Sequence, residues 1–279
     1  MNARFLFFAA FALALLTASC SSGPEPPQPG TPTFNWNAAK RAYATGDFTK
    51  ANESLSEIVK TDSEYAGRAR TWSILLSAGT AQGYAELADA YEAGATANRA
   101  NPMPFRKPIS ALRSMANAAI LDSVQSFRTV LDSDRGASVE FAFSYPTGSA
   151  AEPPALKRVA GGVPILDTDA TVLQTAMMQR GVVLAVCRAM GNPDDSAKTL
   201  EAFKAPEVRV PRETFLFGVA QMLNSLADLY IPRKLDQPDR AKLITDQALR
   251  ALQAIPETKE SKALMVKIQS QGKKKGKAS

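Results

Sequence analysis

Two cysteines and no histidine stand in 279 residues, and those counts decide most of what chemistry the chain can attempt. Imidazole is the commonest general base, the relay of nucleophilic triads and the most frequent metal ligand, so its absence narrows all three. No Gly-x-Ser-x-Gly elbow, phosphate-binding loop or dinucleotide glycine motif occurs, and Gly161-Gly162 alone is a turn. A Ser-x-x-Lys spacing at Ser270 and Lys273 falls in a C-terminal tail where nothing would hold a nucleophile and base in register. Cys187 shares an apolar helical stripe with Leu173, Met177 and Leu184, which predicts a buried thiol of raised pKa, unfit as a nucleophile. Asp167 and Asp169 precede a helix expected to start near Ala170, and Asp194-Asp195 precede another, so helix capping explains them better than cation binding. A carboxylate pair acting on a glycan such as peptidoglycan has no residue that stands out for it. The residues therefore predict no catalysis, no cofactor and no metal.

Cys20 has a different context. Residues 1–4 carry one positive charge, Arg4; twelve apolar residues follow at 5–16, then Thr17-Ala18-Ser19 before Cys20. That is the order of an export signal. Twelve helical residues cover about 18 Å against a hydrocarbon core of about 30 Å, which disfavours a permanent span. The run Leu16-Thr17-Ala18-Ser19-Cys20 resembles the lipobox of bacterial lipoproteins. The resemblance implies cleavage after residue 19, diacylglycerol on the Cys20 thiol and an N-acyl chain such as palmitate, a three-chain anchor in which each buried CH₂ contributes about 0.8 kcal/mol. Ser21, rather than Asp, follows the cysteine, and this implies the cell outer membrane, facing the periplasm.

Charge supports a neutral body. Lysine and arginine number 33 against 27 acidic residues; loss of Arg4 with the leader leaves 32, and Lys273, Lys274, Lys275 and Lys277 lie in the last seven positions. A basic tail is not a basic face, so nucleic acid is not expected as a partner. Weak attraction of the tail to anionic headgroups would contribute about 1 kcal/mol per lysine at most.

Five prolines and two glycines between residues 21 and 33 predict an extended tether, at about 3 Å per residue some 30–40 Å long. Beyond it, apolar residues recur at helical spacing: Ala51, Leu55, Ile58 and Val59; Ile120, Val124, Phe127 and Leu131, after a helix start expected at Pro108; Phe215, Val219, Met222, Leu226 and Leu229; Ala241, Ile244, Ala248, Leu252 and Ile255. The fold class is all-α. One stretch departs from it. Val139, Phe141, Phe143 and Tyr145 alternate with smaller or polar residues, which predicts a strand, and a return strand near residues 156–160 would complete a β-hairpin or irregular insertion. The expected organisation is signal 1–19, tether 20–35, helical half 36–135, insertion 136–166, helical half 167–270 and basic tail 271–279.

The segment from Ala42 through Gly46, Phe48 and Ala51 to Leu55 resembles a tetratricopeptide repeat (TPR). Glycine permits the tight turn, the aromatic fills the gap between paired helices, and alanine lets their backbones approach. Fainter echoes run from Gly191 to Ala197 and from Asp236 to Ala241; the 44-residue offset between the two alanines exceeds the usual repeat of about 34. The resemblance implies TPR-like helical hairpins whose first helices line a groove. Trp36, Lys40 and Tyr43, spaced by four and three, share one face of the first helix, where they would either bind a partner or cap the first hydrophobic layer.

Together these readings predict an envelope lipoprotein, anchored through Cys20, whose helical repeats scaffold protein partners. An accessory lipoprotein of a periplasmic solute transporter is the alternative, and a peptidoglycan-active enzyme the less favoured one.

Overall fold

Thr31 and Pro32 start the first helix as capping chemistry requires: the Thr31 hydroxyl accepts from the Phe34 amide at 3.3 Å, and proline takes the first turn, where its missing N–H costs nothing. Helix α1 (Pro32–Ala44) turns at Gly46, whose φ of +77° favours glycine, and Asp47 caps α2 (Phe48–Val59) by accepting from the Lys50 amide at 3.1 Å. The computed structural model describes residues 26–275 apart from 134, 135, 142 and 206, so the leader and Cys20 lie outside the described residues.

The long helix α3 (Ala66–Ala97) organises the rest. Its 32 residues span about 48 Å. Trp72, Ser73, Ile74, Leu75 and Leu76 are consecutive and all buried, so over residues 71–81 this helix is enclosed around its circumference and carries no amphipathic stripe, while its distal end reaches the surface. Helix α4 (Met103–Ser133) packs along it. The expected start of α4 at Pro108 is corrected: the helix begins at Met103 and Pro108 lies inside it, since a proline this close to the N-terminus forfeits a single intrahelical bond.

The expected β-hairpin is also corrected. Strand β1 (Ser138–Phe141) pairs antiparallel with β2 (Val208–Pro211), with Val139 opposite Val210 and Phe141 opposite Val208. The segment read as a return strand is helix α5 (Pro154–Ala160). Proline at its first turn presets helical φ, and Leu156 and Val159, three apart, bury against the distal half of α3.

Helix α6 (Asp167–Ala189) crosses α3 through glycines. A Cβ on Gly79 would meet the Val182 Cα at 2.5 Å and its amide nitrogen at 2.7 Å; one on Gly83 would meet the Met177 carbonyl oxygen at 2.5 Å. The two backbones touch. By length and composition α6 could cross a membrane, with a mean hydropathy of 1.3 over its most apolar window. Leu173, Met177, Val182, Val183 and Val186 are nevertheless buried within the protein. Helices α7 (Ser196–Ala202), α8 (Arg212–Leu226), α9 (Pro238–Gln253) and α10 (Lys259–Lys275) follow, with a 3₁₀ turn at Ala227–Tyr230. A single large core joins Trp36, Trp72, Ile120, Val182, Val219, Ile244 and Ile268, drawing on both helical halves. A second, smaller core around Tyr91, Phe105, Leu156 and Met177 holds the distal end of α3. The bulk of the protein is all-α, with one two-stranded sheet among the described residues.

Candidate functional site

The face expected to bind a partner is filled by the chain itself. Trp36 is 6% exposed and Tyr43 2%, while Lys40 is at the surface, so the three do not form one open patch. The cause is Phe143. Its ring centroid lies 4.8 Å from Trp36, 4.9 Å from Tyr43 and 4.9 Å from Trp72, wedged between α1 and α3. Tyr65 stacks on Trp36 at 5.2 Å, and Trp72 meets Tyr43 edge-on at 4.9 Å. Aromatic pairs of this kind contribute about 0.5–1.5 kcal/mol each beyond area burial. Burial, helped by the facing Tyr145, pushes the Tyr43 phenol well above its ordinary value. Trp36 and Tyr43 therefore act as the cap of the first hydrophobic layer in this structure, and Lys40 alone of the three remains available to a partner.

An open groove exists on the other side of the hairpin. It runs between α2, α3 and α4, encloses about 660 Å³, and so falls within the roughly 300–1,000 Å³ typical of binding sites. Its floor is a hydroxyl stripe on α3: Ser73, Ser77 and Thr80, spaced by four and three on one helical face. Asn52 and Ser56 of α2 form one wall, and Asp122, Gln125 and Thr129 of α4 the other. The hydroxyls divide into two groups. Ser77 donates to the Ser73 carbonyl, and Thr80 donates back to the Leu76 carbonyl at 2.8 Å, so both protons are used within the helix while the oxygens keep accepting capacity. Ser73 Oγ and Asn52 Oδ1 are buried with no hydrogen-bond partner. Leaving such a group unmade costs about 1–3 kcal/mol. The charges in the lining are Glu53, Lys60 and Asp122, and Lys60 already pairs with Glu57 at 2.6 Å. Partial desolvation raises the Asp122 carboxyl from its ordinary value, although the residue is largely exposed. The lining as a whole is close to neutral in charge, and with Val59, Tyr84, Met115, Ala118 and Ala119 among its residues it exposes more apolar than polar surface.

Other polar clusters are structural. Arg188 donates to Gln82 at 2.6 Å, Gln82 to Glu86 at 2.7 Å, and Arg180 pairs with Glu86 while its Nε reaches the Ala150 carbonyl at 3.1 Å. This chain ties α6 to α3 and to the segment carrying Phe143. Asn117 accepts from both the Tyr230 hydroxyl and Arg240 at 2.7 Å, joining α4 to the C-terminal helices.

Cys187 is buried and free, as its stripe predicts, and burial raises its thiol pKa against hydrogen bonds with Thr199 and Tyr145 that lower it. Asp195 caps α7, accepting from the Lys198 amide at 2.8 Å. Asp167 and Asp169 sit in the first turn of α6 without a capping hydrogen bond, one turn earlier than the start expected near Ala170, where their charge still suits the helix dipole. Among the described residues no group of three or more His, Cys, Asp or Glu side chains could hold a metal ion.

Sequence reasoning missed the groove. Its one signal was three hydroxyls at i, i+4 and i+7 in the otherwise apolar run 72–81, and serine and threonine inside helices are too common to mark a site unaided. No family model, curated protein or solved structure matches the chain.

Proposed function

We propose that this protein is an envelope lipoprotein, anchored by acyl chains on Cys20, that holds protein partners through its helical hairpins. The anchor rests on the leader: Arg4, an apolar run of twelve, and small residues directly before Cys20. A repeat of the tetratricopeptide kind is supported by the α1–α2 hairpin, where Gly46 makes the turn, Phe48 is buried and Ala51 is fully enclosed between helices. The groove between α2, α3 and α4 carries the binding reading, because it is preformed and of the size of known binding sites. It lies beside the second helix of the hairpin, whereas tetratricopeptide arrays bind along first helices; here Phe143 occupies the first-helix face.

Purification of the acylated protein from membranes tests this reading. Wild type should carry the mass of its lipid and bring a defined envelope protein with it. Cys20→Ser should lose the lipid, and a Ser56→Arg, Thr129→Arg pair that fills the groove should lose the partner while keeping the lipid. A wild-type mass without acyl groups removes the anchor, and unchanged partner recovery by the arginine pair removes the groove.

A further inference from the structure

The far end of α3 carries most of the large apolar side chains that the fold leaves outside. Among the described residues six are exposed, and four of them stand here: Met103 at 64%, Val163 at 46%, Leu166 at 72% and Val172 at 69%. Three elements converge to place them. Residues 98–102 turn α3 into α4, and Met103 opens α4 directly after that corner. The loop between α5 and α6 abuts the same corner, since the Asn98 side-chain amide donates to the Gly162 carbonyl at 3.0 Å. A Cβ on Gly94 would meet both the Val159 carbonyl and the Phe105 ring, so α5 and the first turn of α4 close on α3 at one level. Leu166 ends the loop, and Val172 lies in the second turn of α6. Prolines hold the apices: Pro102 and Pro104 flank Met103, and Pro164 follows Val163, so little backbone freedom is left to lose on binding.

Charge at this end leans one way. Residues 93–121 and 153–166 contain no Asp or Glu, yet they supply Arg99, Arg106, Lys107, Lys157 and Arg158, all exposed and none in an ion pair. Arg99 and Arg106 line a cleft of about 460 Å³ between the end of α3 and the start of α4. Its carboxylate, Glu92, is already held by Arg113 at 2.6 Å. Two guanidinium groups without a carboxylate of their own suit phosphate oxygens. The opposing charges, Asp167 and Asp169, sit in the first turn of α6, where the helix dipole offsets part of them.

An anionic bilayer matches this combination better than an acidic protein does. The aromatics at this end, Tyr91 and Phe105, are buried, and aliphatic points set on separate corners lack the aromatic anchor typical of a protein interface. Such points suit a fluid acyl layer, which each enters separately while arginine and lysine stay among the headgroups.

We infer that the far end of α3 docks on an anionic phospholipid surface, with Met103 and Val163 entering the acyl layer and Arg99 and Arg106 taking headgroup phosphates. The groove plays no part in this. Since α1 starts at the other end of α3, where Trp36 stacks on Tyr65, an acylated chain would be held at two points about 48 Å apart.

The test uses the full-length protein purified from membranes, with vesicles of phosphatidylcholine alone or mixed with phosphatidylglycerol. Met103→Cys, Val163→Cys and Val266→Cys each carry an environment-sensitive fluorophore, and buried Cys187 stays unlabelled. With phosphatidylglycerol present, the labels at 103 and 163 should be quenched by spin labels on the acyl chains, and the label at 266 should not. Arg99→Gln combined with Arg106→Gln should lower the ratio of inserted to aqueous label about tenfold or more at an unchanged melting temperature, since both side chains are exposed and unpaired. Labels that stay aqueous on phosphatidylglycerol overturn the inference, as does equal insertion into phosphatidylcholine alone or unchanged insertion in the glutamine pair. Soluble polyglutamate that shields the labels from an aqueous quencher, with no acyl-chain quenching on phosphatidylglycerol vesicles, makes this end a contact for an acidic protein and overturns it as well.

Discussion

The crossing of α3 and α6 at Gly79, Gly83 and Gly181 can be tested by a single methyl group. In Gly79→Ala the new Cβ would lie 2.5 Å from the Val182 Cα, 2.7 Å from its nitrogen and 2.9 Å from the Gly181 carbonyl carbon, all backbone atoms that cannot rotate away. Two effects compete. Alanine is favoured over glycine in a helix interior by about 1 kcal/mol, whereas overpacking a tight contact costs about 1–3 kcal/mol and occasionally more. Relief requires the helices to part, which loosens the Gln82–Arg188 and Glu86–Arg180 links and the packing of Met177 and Val182. Overpacking should win, with a net loss of about 2 kcal/mol and a fall in melting temperature of about 4–8 °C for a chain of this size. Gly67 supplies the control: it lies in the same helix with nothing within 4 Å of an added Cβ, so Gly67→Ala should gain up to about 1 kcal/mol. Thermal unfolding followed by circular dichroism reads both. If Gly79→Ala melts at or above wild type, the backbone contact is not what sets the crossing.

Further outcomes follow from other contacts. Tyr43→Ala, which empties a site in the aromatic nest, should cost about 3–5 kcal/mol in denaturant unfolding, while Lys40→Glu at the exposed position should change stability by less than about 0.5 kcal/mol. Glu86→Gln should destabilise by about 1 kcal/mol, less in high salt, because Arg180 loses its partner at the seam between α3 and α6. The Cys187 thiol has a raised folded pKa, so its contribution is fully present below its unfolded pKa and declines as pH rises toward the folded value. Stability should therefore fall above about pH 8.5, and Cys187→Ala should flatten that decline in pH-dependent melting curves.

Stripes were legible where a helix has one dry face and one wet face. The runs ending at Val59 and Leu131 fall on observed helices, the run from Ala241 does so as far as Leu252 with Ile255 just past the helix end, and of the four alternating residues Val139 and Phe141 are strand while Phe143 and Tyr145 lie beyond it. Helix α3 gave no stripe because Trp72 through Leu76 are buried on every side, so the longest helix left the weakest periodic signal. The partner of β1 was equally invisible. Val208–Pro211 lies far along the chain, and a four-residue strand set by tertiary pairing has little local signature. Leu156 and Val159 fit either a strand or a short helix, and Pro154 at the first turn decided for the helix. Trp36 and Tyr43 share a face with Lys40 as spacing requires, but spacing cannot reveal that Phe143 would cover two of the three. The groove depends on three helices meeting, which no window of sequence contains.

The central claim is that this chain holds an envelope partner in the groove between α2, α3 and α4. Its most direct test is a photo-crosslinking scan in living cells, with the probe placed in turn at Ser56, Gln125 and Thr129 in the groove, at Lys40 on α1, and at Val266 on the exposed side of α10. The account predicts adducts of one discrete mass from all three groove positions, abolished by Cys20→Ser when the protein leaves its membrane, and none of that mass from Val266. Adducts confined to Lys40 or Val266, with the groove positions silent, would contradict it.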